Sequence, residues 1–152
     1  MVHIGLLEDN TRIAKLCATM LQYAGHRVTV YNHPWICLES LLPDLDKSSL
    51  SVLSLPALPS LPLPGIHTTR VVDALIDVLI MDLHLPDITG IDVLRVLLNQ
   101  PQTQRLPLIF CTAATSTEIA SALSLAPHAL CIEKPFTFQE LSQAINSVLH
   151  AG

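Results

Sequence analysis

The chain has 152 residues, of which 50% are hydrophobic, 14% charged and 4% aromatic, and its formal net charge is −5. This length predicts one domain with a full core. The negative charge and the absence of a basic run argue against a nucleic-acid-binding surface. Because residues 1–9 have no basic region and only a short apolar stretch, and no 18-residue apolar run is free of proline and charge, we expect neither a signal peptide nor a membrane span. We therefore expect a cytoplasmic domain.

Four cysteines lie far apart inside apolar runs, at Cys17, Cys37, Cys111 and Cys131. Their spacing fits neither a disulfide framework nor a zinc-binding pattern. A free cysteine in a core behaves as a small hydrophobic residue. We therefore expect buried, free thiols in a protein that works in a reducing compartment.

Apolar runs that predict strands alternate with stretches of helical periodicity. The predicted strands are residues 2–8, 27–31, 77–81, 106–111 and 130–133. The predicted helices are residues 11–24, 34–42, 68–75, 91–98, 116–125 and 138–149. The first helix takes Asn10 or Thr11 as its cap and stops at Gly25, whereas the second begins at Pro34. This alternation predicts a doubly wound sheet of five parallel strands with helices on both faces.

Residues 43–65 interrupt the alternation with five prolines and a series of leucines. Neither a helix nor a central strand tolerates such a proline density. Pro56, Pro59 and Pro62 recur every three residues, which matches the turn of a polyproline II helix. One interpretation is a segment for proline-rich recognition. The other, which we favour, is a covering loop that packs its own leucines.

The strand over 77–81 leads directly into Asp82, the most informative residue of the sequence. Its nearly continuous apolar residues are typical of a strand buried on both faces. Other polar residues stand at the ends of apolar runs: Glu8-Asp9, Thr112 and Lys134-Pro135. Each alone would more often be a helix cap or a turn residue. Because open α/β sheets bind ligands at the carboxyl ends of their strands, together they predict one site for phosphate and a cation.

These residues, with Ala113 and Phe136 beside them, resemble the signature of the receiver domain of two-component response regulators, the CheY-like family. Thr112 lies 30 residues after Asp82, and Lys134 lies 22 residues after Thr112; both separations are usual for that family. The resemblance covers residues 1–152 as a single receiver domain, apart from 43–70. That stretch is an atypical Pro/Leu-rich insertion between the second and third strands. The resemblance implies a flavodoxin-like strand order, 2-1-3-4-5.

The resemblance implies that Asp82 accepts a phosphoryl group from a sensor histidine kinase or a phosphotransfer protein. Carboxylates do act as nucleophiles in covalent catalysis. Glu8, Asp9 and Asp82, with the backbone carbonyl of His84, would hold Mg²⁺, with Mn²⁺ as an alternative. Such hard cations prefer oxygen ligands. We expect the side chain of His84 to point away from this site.

By the same resemblance, Lys134 would neutralise the transferred phosphoryl group, and Pro135 would fix the backbone behind it through a cis peptide bond. The hydroxyl of Thr112 would donate to a phosphoryl oxygen and draw its loop inward, which makes it the switch residue. Ala113 is small and leaves room for the phosphoryl group. The domain would be a signalling switch, with no activity beyond phosphotransfer to itself and autodephosphorylation.

Two positions depart from the family pattern. Cys131 stands where an aromatic residue usually couples the switch hydroxyl to the output surface, and Pro127 stands where a glycine is usual. The alternative function is therefore a degenerate receiver that acts as a phosphorylation-independent interaction module. A phosphatase with a DxD motif is disfavoured, because His84 stands where the second Asp of that motif would be.

The resemblance leaves room for a homodimer and for a C-terminal effector domain outside this chain. From the net charge and the lack of a long apolar run, we expect no direct binding of nucleic acid and no contact with a membrane. The leucines of 43–65 offer an apolar stripe, and such stripes often mark interfaces. We therefore expect self-association partly through 43–65, with a weak dependence on phosphorylation.

Overall fold

The computed structural model describes residues 2–43, 76–85 and 87–150. These residues form one sheet of five parallel strands with helices on both of its faces, which confirms the predicted fold. The strands are β1 (His3–Leu7), β2 (Arg27–Tyr31), β3 (Val78–Met81), β4 (Leu108–Thr112) and β5 (Leu130–Glu133). The helices are α1 (Thr11–Tyr23), α2 (Pro34–Leu41), α3 (Gly90–Leu98), α4 (Ser116–Leu125) and α5 (Phe138–His150).

The strands follow the order β2-β1-β3-β4-β5, as the resemblance implied. Leu7 at the end of β1 is level with Tyr31 of β2 and with Met81 of β3. The residues that follow β1 and β3 therefore emerge side by side, at the point where the chain order reverses. This is the place where open parallel sheets bind their ligands.

The sheet separates two hydrophobic cores, and β3 contributes to both. Leu79 and Met81 pack into the core beneath α2, α3 and α4, whereas Val78 and Ile80 face the core beneath α1 and α5. Successive side chains of a strand point to opposite faces, so a strand between two helical layers is apolar throughout. The continuous apolar run before Asp82 is the direct consequence.

The helix ends follow local chemistry. The side chain of Asn10 accepts hydrogen bonds from the backbone N–H groups of Arg12 and Ile13, which makes Asn10 the cap of α1. Gly25, whose φ of 97° suits a residue without Cβ, follows that helix. At α2 the cap is the Nδ1 of His33, which accepts from the backbone N–H of Trp35.

Most predicted bounds agree with the structure, and β4 differs most. It begins at Leu108, two residues later than predicted, and extends to Thr112. Pro107 has no N–H to donate, although its carbonyl accepts from the N–H of Leu79. The strand therefore starts only after the proline.

The predicted helix over 68–75 and the whole of 43–65 except Pro43 lie outside the described residues, so these interpretations stay predictions. Within the described ranges, the helices are too short or too polar to cross a membrane.

All four cysteines are free, as predicted, and three of them are buried. The expectation was wrong for Cys131, which is half-buried because β5 is the edge strand of the sheet. Burial raises the pKa of the Cys37 thiol, and that of Cys111 to about 12. Such thiols stay protonated and act as core residues.

Gly90, the first residue of α3, packs against the backbone beside Asp82. A Cβ at this position would lie 2.5 Å from the Cα of Leu83 and 2.8 Å from the carbonyl oxygen of Asp82. Backbone atoms cannot move aside as a flexible side chain can. The close approach of α3 to the end of β3 therefore requires glycine.

We predict that Gly90→Ala lowers the free energy of unfolding by about 1–3 kcal/mol, the usual cost of forcing extra atoms into a packed region. Urea unfolding followed by circular dichroism measures this. Ser147→Ala, on the exposed side of α5, is the control and should stay within about 0.5 kcal/mol of the parent protein. Equal stability of the two variants would contradict the account of Gly90.

Candidate functional site

Asp82 lies directly after β3, and its carboxylate is held on both oxygens. Its backbone N–H donates to the carbonyl of Leu7, which fixes it beside β1. Oδ1 accepts from the Thr112 hydroxyl at 2.9 Å and from the backbone N–H of His84 at 3.0 Å. Oδ2 accepts from the Lys134 ammonium at 2.9 Å. Asp82 is 7% exposed, so these donors replace much of its hydration.

Lys134 joins two carboxylates. Its Nζ lies 2.9 Å from Oδ2 of Asp82 and 2.7 Å from Oε1 of Glu8, which is itself buried. The backbone N–H of Lys134 donates to the carbonyl of Thr112, and the Lys134–Pro135 peptide bond is cis, as expected from the resemblance. One amine thus neutralises part of the charge that β1 and β3 bring to this edge.

The pKa of Lys134 is raised. Burial disfavours the charged ammonium, but the hydrogen bonds that it donates to Asp82 and Glu8, together with the charges of these carboxylates, more than offset that effect. The ammonium is therefore charged throughout the neutral range. The site therefore contains a fixed positive charge at neutral pH.

Three carboxylates lie close enough to share one cation. One oxygen from each of Glu8, Asp9 and Asp82 falls within 4.8 Å of the others. This set consists of oxygen ligands, which Mg²⁺ and Mn²⁺ prefer, and the exposed position of Asp9 leaves room for the waters that Mg²⁺ retains. The residues present therefore fit a hard divalent cation.

Thr112 is fully buried at the end of β4, and its hydroxyl makes two hydrogen bonds. It donates to Oδ1 of Asp82 and accepts from the backbone N–H of Ala114 at 3.1 Å. The hydroxyl therefore connects the carboxylate to the chain that leads into α4. Ala113, between Thr112 and Ala114, is exposed and adds no bulk to the mouth of the site.

The imidazole of His84 leaves the site, as expected from the sequence. Its Nε2 lies 2.5 Å from Oε2 of Glu118 in the first turn of α4. A similar pair joins His33 to Asp87, with Nε2 and Oδ2 2.7 Å apart. Sequence reasoning missed both acidic partners, since neither carboxylate stands at a recognisable spacing from its histidine. Only the fold brings these loops together.

Cys131 lies in β5 level with Phe110 of β4 and packs against the core beneath α2, α3 and α4. Burial, and then the nearby Glu133, raise the pKa of its thiol. It is therefore a neutral, small side chain at the position where the family usually has an aromatic ring. No ring exists here to move between an inward and an outward position.

Comparison with known proteins identifies the family of this fold. A family model for the response regulator receiver domain matches residues 66–146, more than half of the chain. The chain therefore belongs to the response regulator receiver domain family, whose members are switches in two-component signalling. The matched stretch includes Asp82, Thr112 and Lys134 and leaves out Glu8 and Asp9.

Similar proteins agree with this assignment. Response regulator SaeR of Staphylococcus aureus (strain USA300) is 25% identical over 150 residues, which cover 98% of this chain and 51% of SaeR. The chain thus spans about half the length of the curated relatives it matches.

Two solved structures show the same fold. A receiver domain protein from Methanospirillum hungatei JF-1 is 16% identical, with a TM-score of 0.71 and coverage of 99% of this chain and 95% of that one. Chemotaxis protein CheY4 of Vibrio cholerae is 20% identical, with a TM-score of 0.67 and coverage of 98% and 99%.

The raised pKa of Lys134 gives a prediction for alkaline stability. Stabilisation by its charge is complete below the unfolded-state pKa of about 10.4 and is lost as the pH rises through the higher folded-state pKa. We expect the free energy of unfolding to fall more steeply above about pH 10.4 in the parent protein than in Lys134→Met. Thiols and tyrosines titrate in both proteins, so their contribution cancels in the difference.

Urea unfolding at a series of pH values from neutral to strongly alkaline makes this measurement. Lys15→Met, which removes an exposed lysine of α1, is the matched control and should follow the parent protein. If Lys134→Met also follows the parent protein over the whole series, the ammonium adds no stability through Glu8 and Asp82.

Proposed function

We propose that this protein is a phosphorylation-dependent switch in which Asp82 accepts a phosphoryl group from a histidine kinase or a phosphotransfer protein. One observation carries the proposal: the carboxylate of Asp82 is buried and is held by both the Thr112 hydroxyl and the Lys134 ammonium. A carboxylate with a merely structural role would need no cluster of further acids beside it.

The reaction would join an oxygen of Asp82 to phosphorus. The bond between phosphorus and the donor's histidine nitrogen would break, with its electron pair staying on that nitrogen. Such a transfer needs positioning and charge neutralisation more than covalent assistance. The backbone N–H of His84 and the hydroxyl of Thr112 fix the plane of the carboxylate. Its orientation would thus be set before the donor arrives.

Glu8, Asp9 and Asp82 would hold Mg²⁺ or Mn²⁺, with the backbone carbonyl of His84 as a further ligand. When bound, the cation supplies positive charge for the oxygens of the transferred group. It would also relieve the mutual repulsion of three acids that lie within 4.8 Å of one another.

Lys134 would supply the second positive charge. Its ammonium is a compact point charge with three donors, of which Glu8 and Asp82 use two. Among residues 2–43, 76–85 and 87–150 the third donor has no partner, so it would be available to a phosphoryl oxygen. Because Glu8, which follows β1, also binds the amine, Lys134 would keep its position when Asp82 receives the phosphoryl group.

Thr112 would transmit the change. Once Asp82 carries a phosphoryl group, the hydroxyl would donate to one of the new oxygens and no longer to Oδ1. Ala114 is bonded to the same hydroxyl, so the chain before α4 would follow. A local hydrogen bond would thereby bias a two-state element, which is how such switches work.

Cys131 favours a second candidate, a degenerate receiver that binds a partner without phosphorylation. A small thiol at the half-buried position in β5 cannot make the rotamer change of an aromatic ring. The two functions differ in one measurable respect, since only the first requires Asp82 to be modified. An effector domain and a homodimer belong to either function.

We predict that a small phosphodonor with Mg²⁺ adds one phosphoryl group, about 80 Da, to the parent protein and none to Asp82→Asn. The amide of asparagine is a poor nucleophile, although its oxygen can still accept from the Thr112 hydroxyl and the backbone N–H of His84. Intact-protein mass spectrometry at neutral pH provides the measurement. Asp87→Asn, which changes an exposed carboxylate of the same loop, is the control and should be labelled like the parent protein. Labelling of Asp82→Asn to the same extent would identify another acceptor.

We also predict that Mg²⁺ binds with millimolar to submillimolar affinity and that Asp9→Ala weakens binding by at least tenfold, because a charged ligand is lost. Amide shifts in an NMR titration report both the affinity and the place of binding. Asp77→Ala removes the same charge at the opposite edge of the sheet and should leave the affinity unchanged. Equal affinities of the Asp9→Ala and parent proteins would exclude Asp9 from the site.

A further inference from the structure

A second connection links Asp82 to α4, and it passes through His84. The backbone N–H of His84 donates to Oδ1 of Asp82, while its imidazole Nε2 lies 2.5 Å from Oε2 of Glu118. The side chains of His84 and Glu118 are 56% and 41% exposed. The residue two positions after the acceptor is therefore tied to the first turn of α4 across the surface.

Glu118 is itself held firmly by the start of its helix. Its backbone N–H donates to the hydroxyl of Thr115, and that hydroxyl donates to Oε1 of Glu118 at 3.3 Å. Thr115 and Glu118 thus share reciprocal capping contacts. A displacement of this first turn would carry the Glu118 carboxylate with it.

The first turn of α4 is also tied to Asp82 from the other side. The Thr112 hydroxyl donates to Oδ1 of Asp82 and accepts from the N–H of Ala114, and only residues 113–115 separate Thr112 from α4. Two paths therefore run from one carboxylate oxygen to the same helical turn. One path is the Thr112 hydroxyl and the other is the His84–Glu118 pair.

We propose that the His84–Glu118 pair is a latch that favours the unphosphorylated arrangement and opens when Asp82 is phosphorylated. This inference rests on the proposed function of Asp82. When the Thr112 hydroxyl turns to a phosphoryl oxygen, residues 113–115 and the first turn of α4 move with it. His84 lies two residues after Asp82 in the chain and stays in place, so the contact between Nε2 and Oε2 lengthens. Because Oε2 of Glu118 contacts Nε2 of His84 directly, a displacement of the first turn of α4 changes this contact.

The latch gives this chain a polar link between acceptor and α4 where Cys131 provides no aromatic ring. Its strength should be modest, because pairs between exposed side chains contribute little. A weak pair suits a switch. Phosphorylation can shift the equilibrium only if the free energy that favours the unphosphorylated arrangement is small. The pair would set how readily α4 responds, while Asp82 and Lys134 perform the chemistry.

The test compares the apparent affinity for beryllofluoride, a mimic of the phosphoryl group, in the presence of saturating Mg²⁺. If the latch opposes the phosphorylated arrangement, Glu118→Ala should bind beryllofluoride roughly two- to fivefold more tightly than the parent protein. Glu140→Ala is the control, because Glu140 also accepts from the hydroxyl of the threonine before its helix, Thr137, and in addition from the backbone N–H of Thr137. Its loss removes capping contacts of a helix start and no contact with His84, so the affinity should not change.

A second measurement covers the case in which Glu118→Ala folds poorly. In the parent protein, the ¹⁵N shifts of the His84 imidazole should move towards those of Glu118→Gln when beryllofluoride binds. Glutamine retains the cap but weakens the contact with His84. An imidazole signal that stays unchanged on binding would overturn the latch, as would equal affinities of the Glu118→Ala and parent proteins. If the parent protein itself fails to bind beryllofluoride, the proposed function of Asp82 fails first and the latch with it.

Discussion

The contact between the Lys134 ammonium and the carboxylates of Glu8 and Asp82 is the interaction on which the rest of this structure depends. Burying two carboxylates without a counter-charge would cost several kcal/mol for each ion. The amine lies 2.7 and 2.9 Å from the two acids, and its positive charge offsets that cost. The same contact joins the ends of β1, β3 and β5. The carboxylates whose burial is costly, and the ammonium that neutralises them, are the groups that we propose bind a cation and a phosphoryl group.

The parallel sheet makes this contact geometrically available. Because β1 lies between β2 and β3, the residues after Leu7 and Met81 emerge side by side. Gly90 then allows α3 to approach the backbone of Asp82 and Leu83 closely. Two apolar cores hold the strands from both faces. Packing therefore fixes the backbone, and three hydrogen bonds fix the carboxylate of Asp82.

A switch needs parts that can move beside parts that cannot. Asp82 and Lys134 belong to the rigid part, since both are anchored through backbone hydrogen bonds to neighbouring strands. Thr112 stands at the boundary, with its backbone in β4 and its hydroxyl connected to residues before α4. The sensitivity of such a domain is set by how weakly the movable part is held. Surface contacts of modest strength, such as that of His84 with Glu118, suit this purpose.

The sequence by itself determined the layers of the fold and which polar residues meet at the carboxyl ends of the strands. Asp82, Thr112 and Lys134 were found because apolar runs mark strands and a polar residue at the end of a run marks the binding edge. Local chemistry likewise fixed the Asn10 cap and the start at Pro34. Only the tertiary structure decided the partners of His84 and His33. These contacts join residues far apart in the sequence, and they depend on how separate elements pack. The hydrophobic periodicity of a sequence contains no information about the distance between such elements. Cys131 is the same case, since its half-exposure follows from the position of β5 at the sheet edge.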